Sequence, residues 1–191
     1  MNNDKEIPVL LIIDMVKDNF REKRPLPMTP FAREIIGPIN GLIGAFRERR
    51  WPVVFSTDAF HETDFIFEGR MKPHSLAGTA GAEVIDELDR EEEDLWLPKP
   101  RFSAFFKTDL HQWLNKKGIT LCAVAGIATN FCVLTTVMDA LCHDFKAVFL
   151  TDCSAASTRE AHEQTLNLYR YNPLYPLLQV LTAAEFIEAF G

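Results

Sequence analysis

Cys132 stands at the junction between an apolar run, Thr120 to Ala125, and a segment that reads as a helix. A cysteine at a helix start faces unpaired backbone N–H groups and the positive end of the helix dipole, and both favour thiolate over thiol. It is either a small core residue or a nucleophile. Three further groups close apolar runs: Asp14 after Val9 to Ile13, Asp58 in "WPVVFSTD" and Lys99 in "DLWLPK". Alone, such an aspartate often caps a turn and such a lysine is often solvated. Together the types make a working set. Lys99 would lower the pKa of Cys132 by its charge. Asp14 could take the thiol proton and return it to a leaving amine, and backbone N–H groups before Cys132 could hold an oxyanion. The sum is acyl transfer to water through a thioester.

The elements that must position these groups alternate. The runs at 9–13, 51–58, 94–99, 120–126, 146–152 and 177–182 read as strands. Residues 37–50 carry Ile39, Leu42, Ile43 and Phe46 at helical spacing, with Pro38 in the first turn. "AEVIDEL" reads as a short helix. Thr108 reads as the N-cap of a helix ended by Gly118, the segment holding Cys132 as a fourth helix, and Thr158 and Thr182 as caps of two more. Alternating strands and helices imply an α/β fold, a parallel sheet with helices on both faces. The site of such a fold lies at the carboxyl ends of its strands, where Asp14, Asp58, Lys99 and the Gly126–Cys132 turn all fall. No linker or repeat divides the chain, so residues 1–191 are expected to form one domain. The 59–82 stretch is long and irregular and carries His61 and His74; loops of that length are usually functional or mobile.

The formal charge of −7 disfavours nucleic acid or an anionic membrane surface as the main partner. No apolar stretch reaches the length of a membrane span, and "MNNDKEIPVLLIID" shows no signal-peptide pattern, so a cytoplasmic protein is expected. The four cysteines, Cys122, Cys132, Cys142 and Cys153, form no CxxC pair and no disulfide scaffold, and read as free thiols.

"LLIIDMVKDNF", "KPRFSAFFKTDL" and "GIATNFCVLTT" resemble, in order, three signatures of the isochorismatase-like cysteine hydrolases, the superfamily that includes nicotinamidases. "PHSLAGTAGAEV" resembles the loop carrying a metal-binding histidine in the nicotinamidase branch. The resemblance spans nearly the whole chain. It implies a three-layer α/β/α fold on a six-stranded, Rossmann-like parallel sheet. It carries the nucleophile onto Cys132, the general acid/base onto Asp14 and the assisting cation onto Lys99. It further implies a cis peptide between Ile127 and Ala128, an oxyanion hole from Ala128 and Cys132, an aromatic pocket wall at Phe20, and a homodimer or homotetramer.

One departure bears on cofactor and substrate. The branch binds a metal through Asp-x-His and a later histidine. Here Asp58 and His74 match, but the middle position is Phe60 and the nearest histidine, His61, comes one residue late. Loss of the metal, zinc by the donor types, is expected, and the chemistry at the cysteine requires no cofactor. Nicotinamide, anchored by that metal through its ring nitrogen, becomes a weaker candidate than another small carboxamide, carbamoyl or ureido compound. The alternatives are a metal-dependent nicotinamidase, vinyl-ether hydrolysis of the isochorismatase type, which needs no thioester, a non-catalytic binding protein on the same fold, and a redox sensor at Cys132. Phe20, Phe60 and Phe65 are candidate pocket aromatics, and Phe105 reads as core. The 59–75 loop could close over its own site or a neighbour's.

Overall fold

The structure is a computed structural model that describes residues 6–23 and 25–191. Residues 1–5, part of the stretch examined for a signal peptide, lie outside the described residues. Twelve regular elements follow in order: β1 (Pro8–Ile13), α1 (Thr29–Glu34), α2 (Ile36–Glu48), β2 (Val53–Asp58), β3 (Leu95–Lys99), α3 (Leu110–Lys116), β4 (Leu121–Ile127), α4 (Leu134–Cys142), β5 (Lys146–Ala155), α5 (Arg159–Arg170), β6 (Leu178–Leu181) and α6 (Ala183–Phe190). The strands form one parallel sheet in the order β3-β2-β1-β4-β5-β6. Among the described residues, no helix is long and apolar enough to cross a membrane.

β1 and β4 are buried along their whole lengths, as a central parallel strand covered on both faces must be. Alternate residues feed two cores. Leu10, Ile12, Phe55, Ala123 and Val148 meet Ile39, Phe46 and Phe186 from α2 and α6. Val9, Leu11, Ile13, Val54 and Val124 meet Leu114, Val137 and Leu166 from α3, α4 and α5. The result is the three-layer α/β/α architecture. Phe105 is buried in the second core, as its reading predicts.

Several boundaries differ from the sequence reading. "AEVIDEL" is not a helix. A single 3₁₀ turn at Ala80–Ala82 precedes an extended stretch in which Val84 bridges Val16, Lys17 N–H donates to Glu83 O and Ile85 N–H donates to Met15 O. Pairing with the chain after β1 buries Val84, Ile85 and Leu88 better than two isolated helical turns could. α3 starts at Leu110, with Asp109 in the cap position; the Thr108 hydroxyl donates back to Ala104 O at 2.6 Å and accepts only a long bond, 3.4 Å, from Leu110 N–H. Thr158 and Thr182 do cap α5 and α6, the latter through a reciprocal capping box with Glu185. β5 runs three residues beyond its expected end, to Ala155.

Candidate active site

β1, β2 and β3 lie side by side and in register, so their ends meet. Asp58 and Lys99 are direct partners across the β2–β3 pair, and Asp14 follows the last residue of β1. Asp14 takes a left-handed backbone, φ +53, a region aspartate tolerates better than most residues. Hydrogen bonds fix it there. Its N–H donates to Ser56 O at 2.9 Å, and its carbonyl accepts from Val16 N–H and from the Asn19 side-chain amide, both at 2.9 Å. This aims the carboxylate across the sheet end. Oδ1 accepts from Asp58 N–H at 2.7 Å and Oδ2 from Lys99 Nζ at 2.8 Å.

Lys99 Nζ also donates to Asp58 Oδ1, so one ammonium lies between two carboxylates. The cluster is almost dry: Lys99 is 0% exposed, Asp14 2%, Asp58 6% and Cys132 7%. Burial works against the Lys99 charge, but Asp14, Cys132 and Asp58 overcome it and hold its pKa well above the ordinary lysine value. Burial, then the charge of Asp14, pushes Asp58 up to about 7 against the pull of Lys99.

Asp58 therefore gives stability a pH dependence. With a folded pKa near 7 and an unfolded value of 3.8, the folded state keeps a proton that the unfolded chain releases. The stability this lends at low pH is lost as pH rises from about 4 to about 7. The raised Lys99 pKa adds stability that persists through this window and fades only above the unfolded lysine value of 10.5. Asp58→Asn should thus gain on the parent by a few kcal/mol, about 1.4 per pKa unit, between pH 4 and pH 8 in urea titrations. Parallel pH curves for the two proteins would contradict it.

Cys132 sits in a single π turn, Thr129–Val133, that joins β4 to α4. The peptide bond between Ile127 and Ala128 is cis. The Cys132 sulfur and carboxylate oxygens of Asp14 and Asp58 lie within 4.8 Å of one another. Burial, then Asp14, raises the thiol pKa well above its usual value, and Lys99 only partly opposes this. The sequence reading expected Lys99 and the helix dipole to favour thiolate. In the folded chain, desolvation and the neighbouring carboxylate outweigh the pull of Lys99 on the thiol pKa.

The other candidates fall outside this cluster. His61 is exposed, with its backbone N–H on Asp64. His74 Nδ1–H donates to Lys72 O at 2.9 Å, and its ring packs edgewise on Phe60 and Phe67. Asp58, His61 and His74 form no three-ligand set; among the described residues, the metal-competent trio is Asp14, Asp58 and Cys132. That trio does not fit a dication, because the Lys99 ammonium already fills the space between its two carboxylates. Phe60 is buried under the 59–82 loop, paired with Leu76, and Phe20 is buried with the Arg33 guanidinium over its ring. Phe65 points largely into solvent.

Two supporting groups escaped the sequence reading. Asn19 holds the Asp14 carbonyl, and its place inside "LLIIDMVKDNF" was the available signal. Thr129, wholly buried, hydrogen-bonds His162 Nδ1 at 2.8 Å and ties the cysteine turn to α5.

Comparison with known proteins agrees with this fold. A probable inactive nicotinamidase of Arabidopsis thaliana is 33% identical over 165 residues, covering 80% of this chain and 83% of that protein. An isochorismatase-like hydrolase from Alkaliphilus metalliredigens superposes with a TM-score of 0.84 at 32% identity, covering 96% of this chain and 99% of the other. An N-carbamoylsarcosine amidase from Thermoplasma acidophilum superposes with a TM-score of 0.77 at 29% identity, covering 92% and 96%. The model of the isochorismatase domain matches residues 8–185, and the chain is a member of the isochorismatase family of hydrolases.

Proposed function

We propose that the chain hydrolyses the C–N bond of a small carboxamide, carbamoyl or ureido compound through a thioester on Cys132. The observation that carries this reading is the Cys132 sulfur placed within 4.8 Å of an Asp14 carboxylate oxygen, a carboxylate that Lys99 and Asp58 N–H hold in place. A thiol with a raised pKa needs a base in contact with it as it attacks. Asp14 takes the proton as sulfur bonds to the carbonyl carbon. The N–H groups of Ala128 and Cys132 take the oxyanion. The C–N bond then breaks, and Asp14 passes the proton to the leaving nitrogen. Water attacks the thioester with Asp14 again as base, and the proton returns to sulfur as the acid leaves. Lys99 stays cationic throughout and stabilises negative charge in the cluster.

The Thermoplasma neighbour is named for a carbamoyl substrate, which supports the same substrate class here. Nicotinamide is the weaker candidate, because Asp58, Phe60, His61 and His74 do not make the metal anchor that the nicotinamidase resemblance requires. The four free thiols suit a reducing cytoplasm, and assembly as a dimer or tetramer is carried forward from the resemblance.

The test is ammonia release from purified protein against nicotinamide, pyrazinamide and a panel of carbamoyl and ureido compounds, with and without EDTA. Turnover of a carbamoyl or ureido compound is expected, changed less than about twofold by the chelator. Nicotinamide turnover that EDTA abolishes would replace this reading with a metal-dependent nicotinamidase.

A further inference from the structure

β5 breaks its regular pairing near its end. Val124 and Gly126 of β4 pair with Phe149 and Ser154, so the β5 side carries extra residues where its β6 pairing has already stopped at Leu150. A bulge re-aims the side chains around it. Beside this one lies a cavity of about 440 Å³, walled by α1 on one side and α5 on the other. Among the described residues, its lining includes none of Asp14, Asp58, Lys99 and Cys132.

Ser154 lines the cavity, is 4% exposed, and its hydroxyl has no hydrogen-bond partner among the described residues. Burying a hydroxyl without a partner is costly, about 1–3 kcal/mol, and this oxygen is closed to water even though its residue lines the cavity. Charges of both signs face the same space. Arg159 donates to both oxygens of Glu34, at 3.0 and 2.8 Å, bridging α5 to α1. Arg170 stands 4.0 Å from Glu163. Such exposed pairs contribute little, about 0–1 kcal/mol each, so a ligand can exchange for either partner. Phe31 and Ile35 supply an apolar wall. A simple anion would meet the carboxylates, and a simple cation the guanidinium groups.

We propose that this cavity is a second binding site, for a small zwitterion: an α-amino acid with an apolar side chain. Its carboxylate takes Arg159, its ammonium takes Glu34, and its side chain lies on Phe31 and Ile35. Occupancy reaches the nucleophile by a short route. His162 also lines the cavity, and its Nδ1 is the partner of Thr129, the first residue of the turn that carries Cys132.

The test is calorimetric titration of the full chain with L-leucine, with 4-methylpentanoate, which lacks the ammonium, and with 3-methylbutylamine, which lacks the carboxylate. Leucine is expected to bind at least about tenfold tighter than either. Arg159→Gln should weaken leucine by about tenfold, with the melting temperature unchanged. Leucine should also change the rate of Cys132 alkylation by iodoacetamide, read by peptide mass, by about twofold or more in the parent and not in Arg159→Gln. No leucine binding at about 10 mM would overturn the site. Equal binding of the anion would overturn the ligand class, and full affinity in Arg159→Gln would place leucine elsewhere. An unchanged alkylation rate with leucine bound would remove the link to the turn. None of these readouts needs a substrate.

Discussion

Cys132→Ala should lower turnover of any amide substrate by about 10⁴-fold or more, the scale seen when a covalent nucleophile is removed. The fold should survive, because the change takes one sulfur atom from a small side chain at the start of a helix. Asp14→Asn should be similarly inactive, since an amide cannot take the thiol proton that the carboxylate faces. The measurement is steady-state product release together with the intact mass of rapidly quenched protein. The parent should show an acyl adduct, and neither variant should. A Cys132→Ala protein that works at the parent rate while Asp14→Asn is dead would mean that proton transfer alone suffices. The reaction would then be ether hydrolysis of the isochorismatase type, and the thioester would be wrong.

Gly126→Ala should cost the largest share of stability of any single methyl added to the sheet. Gly126 holds φ +104, and a Cβ there would lie 2.1 Å from Ile13 O and 2.6 Å from Ile13 N. Those atoms are the backbone of β1, the register partner of Gly126 in the centre of the sheet. They cannot move aside without breaking the β1–β4 pairing that places Asp14 beside the cysteine turn. A loss of about 4 kcal/mol or more is expected by urea titration, at the extreme of what single substitutions do. Gly41→Ala is the control. It lies in α2 with nothing within 4 Å of the added carbon, and should stabilise by about 0.5–1 kcal/mol through helix propensity. Similar, small effects at both positions would show that β1 and β4 are less tightly apposed than the structure has them.

Much of this was legible because buried parallel strands announce themselves. Val9 to Ile13 and Leu121 to Ile127 are continuous apolar runs, and the residues that end them face one edge of the sheet whatever the details. The identity of partners was less legible. Lys99 reads as a solvated lysine at the end of a strand whose residues alternate in exposure, and only the β2–β3 register shows that it is buried against Asp58. The resemblance makes Asp58 a candidate metal ligand at a site expected to be lost, and its carboxylate is taken by the ammonium one strand away. The failures were local. α1 is six residues long with Pro30 near its start, too short for any period to stand out. "AEVIDEL" carries helical spacing that an antiparallel contact with Val16 overrides.

The strand order also dictates when the molecule can come together. β1 lies at the middle of the sheet, between β2 and a strand more than a hundred residues further along the chain. Until β4 arrives, β1–β2–β3 is a sheet whose edge is the most apolar strand of all, with α4, α5 and α6 still missing from its faces. An unpaired edge of that kind is a template for other chains. Closing so long a loop must precede the contacts that reward it, which makes folding slow. The segment that supplies Asp14 is thus made well before the strand that covers it, and is buried late.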